Sequence, residues 1–152
     1  MSADTHTADT RTADTRTADT RTADRVEIAE LFARLANLLD EHRHDDAHTV
    51  YTDDVVVRSP RGGELHGLDE VTAYLRRSRV EGEHTQHVHG DVLVDVDGDH
   101  AKATASELTY FYRDGEPPYR TSGLRESCTA VRTPAGWRFS DIRIMLAWLD
   151  EK

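Results

Sequence analysis

The chain holds nine histidines, and their placement is the first chemical signal. An imidazole, with an unperturbed pKa near 6.5, can take or give a proton at neutral pH. His87 and His89 flank Val88, so in a regular strand both point to the face opposite that valine. If the valines of this stretch face the helices, the two histidines lie on the outer face. A bulge near Gly90 would re-aim them. His42, His44 and His48, and His84, His87 and His89, are close enough in sequence to suggest a metal. The chain has no HExxH or paired CxxC spacing, so neither a metal nor any other cofactor is expected.

Carboxylates and tyrosines supply the remaining acid/base candidates. Asp40 closes an apolar helical stripe, where the helix macrodipole disfavours an anion. Either solvent exposure or burial beside a histidine would account for it. Glu126 alternates with Leu124 and Cys128, which places a carboxylate on an apolar face. Arg143, between Ile142 and Ile144, is the matching oddity on the last strand. An ion pair between the two is the plainer expectation, and a substrate contact from either comes second. Tyr51, Tyr74, Tyr110 and Tyr112 could each donate a hydroxyl to a developing enolate oxygen, or simply pack with a satisfied polar tip. His89 and Trp148 complete the set of candidate binding side chains. Cys128 reads as a small buried hydrophobe.

Elements must hold these residues. From Ala3 the chain repeats ADTHT and then ADTRT to Asp24, a period of five that matches neither helix nor strand. Alanine alone buries too little to offset the entropy of ordering, so residues 1–24 are expected to be a disordered tail. The alternative is an extension of the next helix. Residues 25–152 are expected to form one domain. Asp24 and Glu27 have capping-box spacing, and Ile28, Leu31, Phe32, Leu35 and Leu39 form one helical stripe. A short helix is expected in 45–52, a strand at 55–57, a turn at Pro60 to Gly63, and a helix over 68–79. Four strands follow, turning at Asp97-Gly98, at Asp114 to Pro118, and at Pro134 to Gly136. Helices first and a long antiparallel meander second make an α+β fold, with the helices on one face of a curved sheet.

Composition limits the partners. With 19 Lys+Arg against 29 Asp+Glu, the formal charge is −10 across 152 residues. That balance argues against nucleic acid and anionic membrane surfaces. One cysteine allows no intrachain disulfide, and no apolar run is long enough to span a bilayer. The N-terminus lacks the order of a signal peptide, so a soluble cytoplasmic protein is expected. The repeat carries five Asp and three Arg, so −8 of the −10 belongs to residues 25–152.

Leu39-Asp40, then Tyr51-Thr52-Asp53-Asp54-Val55, Gly67, Thr85-Gln86-His87, Gly90 to Val94, Asp97-Gly98-Asp99 and Gly136 to Phe139 with Arg143 and Trp148 run in a telling order. In order and spacing they resemble the SnoaL-like branch of the NTF2-like superfamily, over nearly all of 25–152. The resemblance implies a cone in which helices close a strongly bent sheet over an apolar pocket, and cofactor-free acid/base chemistry inside it. It implies that Asp40 projects into the pocket and orients His87, the general base or acid. Tyr110, near the family's second catalytic position, would hydrogen-bond the oxygen where charge develops. Leu39 stands where the dehydratases have a tyrosine, and Tyr110-Phe111-Tyr112 near where scytalone dehydratase has its second histidine. The reading is a cyclase, dehydratase or isomerase acting on a hydrophobic oxygenated molecule such as a polyketide intermediate. A non-catalytic binding or assembly module, or an epoxide-opening enzyme, is the alternative. A homodimer through the open sheet face is also implied.

Overall fold

The structure is a computed structural model that describes residues 6–152, with side chains from Ala18 onward. Helix α1 spans His6–Asp40. Its second half buries Ile28, Leu31, Phe32 and Leu35 of the expected stripe. Leu38 is buried as well, while Leu39, the fifth expected position, is only partly buried and lines the cavity. Residues 6–24 continue this helix instead of preceding it, and residues 1–5 lie outside the described residues. A five-residue repeat advances about 140° around a helix per unit, so the repeat presents no continuous apolar face. Ala18 through Ala23 are exposed accordingly.

Asp24 is not a helix cap. It is buried inside α1, where its carboxylate accepts two hydrogen bonds from Arg132 (3.0 and 2.8 Å) and one from the Trp137 indole (3.0 Å). Those donors hold its pKa below the usual carboxylate range despite burial. Glu27 likewise turns away from the helix start and accepts the Trp137 backbone N–H. Tertiary partners outcompete the local capping box.

A 3₁₀ turn, His44–Thr49, leads into β1 (Tyr51–Ser59) and β2 (Gly63–His66), then α2 (Leu68–Arg77). Gly67 enters α2 at φ 87°, a left-handed conformation that favours glycine, and its N–H donates to Val55 O at 2.7 Å. The meander follows as β3 (His84–Asp97), β4 (His100–Tyr112), β5 (Arg120–Thr133) and β6 (Gly136–Glu151). Together the strands form a six-stranded mixed sheet in the order β2-β1-β6-β5-β4-β3, with β1 parallel to β6 and every other pair antiparallel. The sheet is not closed, and α1 and α2 pack against it. This is an α+β cone.

Inside it, Trp137, Phe139, Ile142, Val50 and Val55 are fully buried beneath Ile28, Leu31 and Phe32. Ala101, Ala103, Ala105 and Ala130 line the facing strands, and their small side chains let the layers approach. Phe32 meets Phe139 edge-on at 4.9 Å and the His89 ring at 5.5 Å, so it joins the core to the polar end of the cone.

Candidate active site

One bulge decides which way β3 presents its histidines. The β3–β4 register slips between Gly90 and Leu93, where Asp91 takes a positive φ of 50°. The extra residue reverses the alternation. Val92, Val94 and Val96 pack toward the core beyond the bulge, whereas His87 and His89 face inward before it. Val88 turns outward and is 45% exposed. Valines and histidines therefore share one face, from opposite sides of the bulge.

The end of α1 meets that segment. Asp40 accepts the His87 backbone N–H (3.0 Å at Oδ2), the Thr85 hydroxyl (3.0 Å at Oδ1) and His87 Nδ1–H (2.6 Å at Oδ1). An ionised carboxylate only accepts, so the proton of a neutral His87 sits on Nδ1 and leaves Nε2 with a free lone pair. Asp40 is thus tied to both backbone and ring, which fixes the orientation of the imidazole. Nε2 lies 3.7 Å from Glu107 Oε1.

Beyond His87 lies a buried polar cluster. His89 Nε2 is 3.3 Å from Glu126 Oε1 and 3.7 Å from Glu107 Oε2. Thr109 donates its hydroxyl to Glu107 Oε1 at 2.7 Å. Glu107 and Glu126, 5% and 3% exposed, bring carboxylate oxygens within 4.8 Å of each other. Burial and the neighbouring carboxylate push the Glu107 carboxyl up to about 8. Burial also raises Glu126 and lowers His89, so His89 is neutral. Burial raises the hydroxyl of Tyr51, with the two glutamates acting in the same direction. Two atoms of the cluster have no partner: Glu126 Oε2 and His89 Nδ1.

His89, Glu107 and Glu126 hold their ligand atoms within 4.8 Å of one another, the spacing of a metal site. Were His89 Nε2 to bind a metal, its ring proton would move to Nδ1, where there is no acceptor. Metal-bound histidines almost always donate that second proton, so the cluster fits a metal poorly.

His87, His89, Glu107, Thr109 and Glu126 form one wall of a cavity of about 260 Å³. Its lining is mostly apolar, with side chains such as Leu35, Leu39, Val71, Leu75 and Ile144, and Arg61 and Arg120 are also present. Asp40, expected to project into the pocket, is bonded to His87 and is not part of the lining. Tyr51 and Tyr74 also line the cavity, as do His89 and Glu126 among the expected binding residues. Tyr110 and Tyr112 do not. On β4 the inward positions are Ala105, Glu107, Thr109 and Phe111, so strand alternation sends Tyr110 and Tyr112 to the other face. Tyr112 instead meets the His84 ring at 5.4 Å.

Arg143 is also outside the cavity. It pairs in register with Ser127 on the outer face, while Glu126 lies opposite Ile144, so the expected Glu126–Arg143 ion pair does not form. Trp148 lies across Gly123 on the outer face, close enough that a Cβ at Gly123 would overlap its indole. Glu107 and Thr109 were missed from sequence. Their signal was the run Ala101, Ala103, Ala105, Glu107, Thr109, a buried period-2 face that becomes polar halfway along.

Known proteins match this architecture. A family model for the SnoaL-like domain covers residues 20–143. No curated protein matches the chain. Among solved structures, the Kfla4162 protein of Kribbella flavida is 25% identical, with a TM-score of 0.77 over 86% of this chain and 95% of its own. Hexachlorocyclohexane dehydrochlorinase LinA-type3 from Novosphingobium barchaimii is 14% identical, with a TM-score of 0.75 over 87% of this chain and 92% of its own. ActVI-ORFA from Streptomyces coelicolor is 17% identical, with a TM-score of 0.72 over 80% of this chain and 96% of its own. The two less similar structures share the fold. With a family model matching most of its length, the chain belongs to the SnoaL-like domain family, on an NTF2-like fold.

Proposed function

We propose that the protein is a cofactor-independent acid/base enzyme, a lyase or isomerase, acting on a hydrophobic oxygenated small molecule of polyketide type. The observation that carries this reading is the 2.6 Å contact between Asp40 and Nδ1 of His87, whose ring stands in the wall of a largely apolar cavity. A base needs a lone pair within reach of an acidic C–H, held in the correct tautomer. Asp40 supplies that tautomer and stabilises the imidazolium once the proton has moved. The apolar walls exclude water from the reacting centre and favour a substrate with little charge of its own.

The test is the loss of His87. Nitrobenzisoxazole is an apolar probe of proton abstraction: removal of its ring C–H proton opens the N–O bond and releases a coloured cyanonitrophenol. His87→Ala should lower that elimination by about 10³-fold, within the range general bases contribute. The melting temperature should stay within a few degrees, because the ring is partly exposed and outside the core. An unchanged rate would overturn the reading.

The outer face supports a homodimer. Val88, Leu108, Gly123 and Trp148 lie side by side across β3, β4, β5 and β6, and the three larger ones are 37–48% exposed. A second copy would cover this apolar row. Light scattering should give twice the chain mass, and Leu108→Glu should return it to the monomer value.

A further inference from the structure

We infer that Glu107 and Glu126 hold a single proton between them in the resting protein, and that Glu107 delivers it to the departing oxygen of the substrate while His87 takes the carbon-bound proton. This rests on the reading of His87 as the base and adds the acid.

The cluster faces charged or titratable groups from every packed element. Asp40 comes from α1, Tyr51 from β1, Arg61 from the β1–β2 turn, Tyr74 from α2, His87 and His89 from β3, and Arg120 from β5, while β6 contributes the apolar Ile144 and Leu146. With Asp40, the two glutamates make three carboxylates around the two histidines. No lysine or arginine is ion-paired with either glutamate among the described residues; Arg120 pairs with Glu151 instead. Two ionised carboxylates buried within 4.8 Å of each other, with no such cation paired to either, repel strongly, which favours a proton on one of them. One proton therefore stays with the two glutamates, as in other buried carboxyl pairs.

Hydrogen bonding selects the carrier. Thr109 and His87 approach Glu107 Oε1, and His89 approaches Oε2 at 3.7 Å while also bonding Glu126, so Glu107 stands between the base and the second carboxylate. Glu126 accepts from His89 Nε2 at Oε1. Its Oε2 is buried and unpartnered, and the side chain lines the cavity. That free lone pair is a fitting acceptor for a substrate hydroxyl.

The favoured reaction is loss of water from a β-hydroxy ketone. His87 Nε2 takes the proton next to the carbonyl, and those electrons form the carbon–carbon double bond. The C–O bond breaks, and the leaving hydroxyl takes the Glu107 proton and departs as water. Imidazolium and carboxylate then stand 3.7 Å apart, and return of the proton from one to the other restores the resting state. Base and acid share one wall, so the hydrogen and the hydroxyl must leave from the same face of the substrate.

Infrared difference spectra of the full chain in H₂O and D₂O test the shared proton without any substrate. At neutral pH the wild type should show the carbonyl stretch of a buried protonated carboxyl. Glu107→Gln should abolish the band. Its absence from the wild type, or its survival in Glu107→Gln, would overturn the proposal whatever His87 does.

Loss of water from 4-hydroxy-4-phenylbutan-2-one, read by absorption of the conjugated ketone formed, tests delivery, since a hydroxyl needs the proton to leave whereas a nitrophenolate does not. Glu107→Gln should slow it roughly a hundredfold. A rate equal to wild type would remove the acid and leave the base standing. A wild type that shows the band but no elimination above buffer would overturn the acid and the base it serves together.

Discussion

The two ends of the cone are built on the same strands, yet each strand changes its inward residue class at one level. At the packed end, Val92, Val94 and Val96 of β3, Ala101 and Ala103 of β4, Cys128 and Ala130 of β5, and Phe139 and Ile142 of β6 close on α1. At the open end the same faces carry His87 and His89, Glu107 and Thr109, Ser122 and Glu126, with Ile144 and Leu146 beside them. The first half is held by dispersion and area removed from water. The second leaves a cavity and buries carboxylates without counter-ions, a cost to stability that the packed half offsets. Changes in the packed half should therefore cost stability, and changes in the open half should cost turnover.

Trp137→Ala should break the packed half most severely. The indole is fully buried and also anchors Asp24, so truncation should destabilise by about 4 kcal/mol, read from denaturant midpoints. Asp24→Ala should cost less, about 2 kcal/mol, because it removes charge-assisted bonds while the surrounding apolar contacts stay. The Asp24 contribution is present above the ordinary carboxylate range and lost as pH falls through its depressed native value, so the variant should lose least in acid.

Glu107→Gln should act in the opposite direction. Between the ordinary carboxylate range and about pH 8, the native state holds a proton on Glu107 that the unfolded state has released. Stability must then fall as pH rises across that window. The variant should abolish this slope and gain about 1 kcal/mol near neutral pH, measured by denaturation at several pH values, while losing turnover.

The packed half was the legible half. Ile28, Leu31, Phe32 and Leu35 gave their helix by spacing alone, and the glycine-containing turns bounded each strand of the meander. Period and turn chemistry act over a few residues, so a string records them directly. The capping reading at Asp24 failed because Arg132 and Trp137, more than a hundred positions away, claim that carboxylate. The family position points to Tyr110, whereas strand alternation from Ala101 turns Tyr110 outward and Glu107 inward. Which face His87 presents depended on one inserted residue near Gly90. Its effect was foreseeable as a possibility, and only the pairing with β4 fixes its sense. The partnership of Glu107 with Glu126 is invisible in sequence because it arises from the diagonal of two strands.

The central claim is that Asp40 holds His87 with its proton on Nδ1 and its Nε2 lone pair toward the cavity. Nitrogen-15 NMR of histidine-labelled protein reports the tautomer of each ring directly. At a pH where His87 is neutral, the spectra should show a protonated Nδ1 and a bare Nε2 for this residue, and Asp40→Ala should lose that preference. A wild-type His87 carrying its proton on Nε2 would contradict the account.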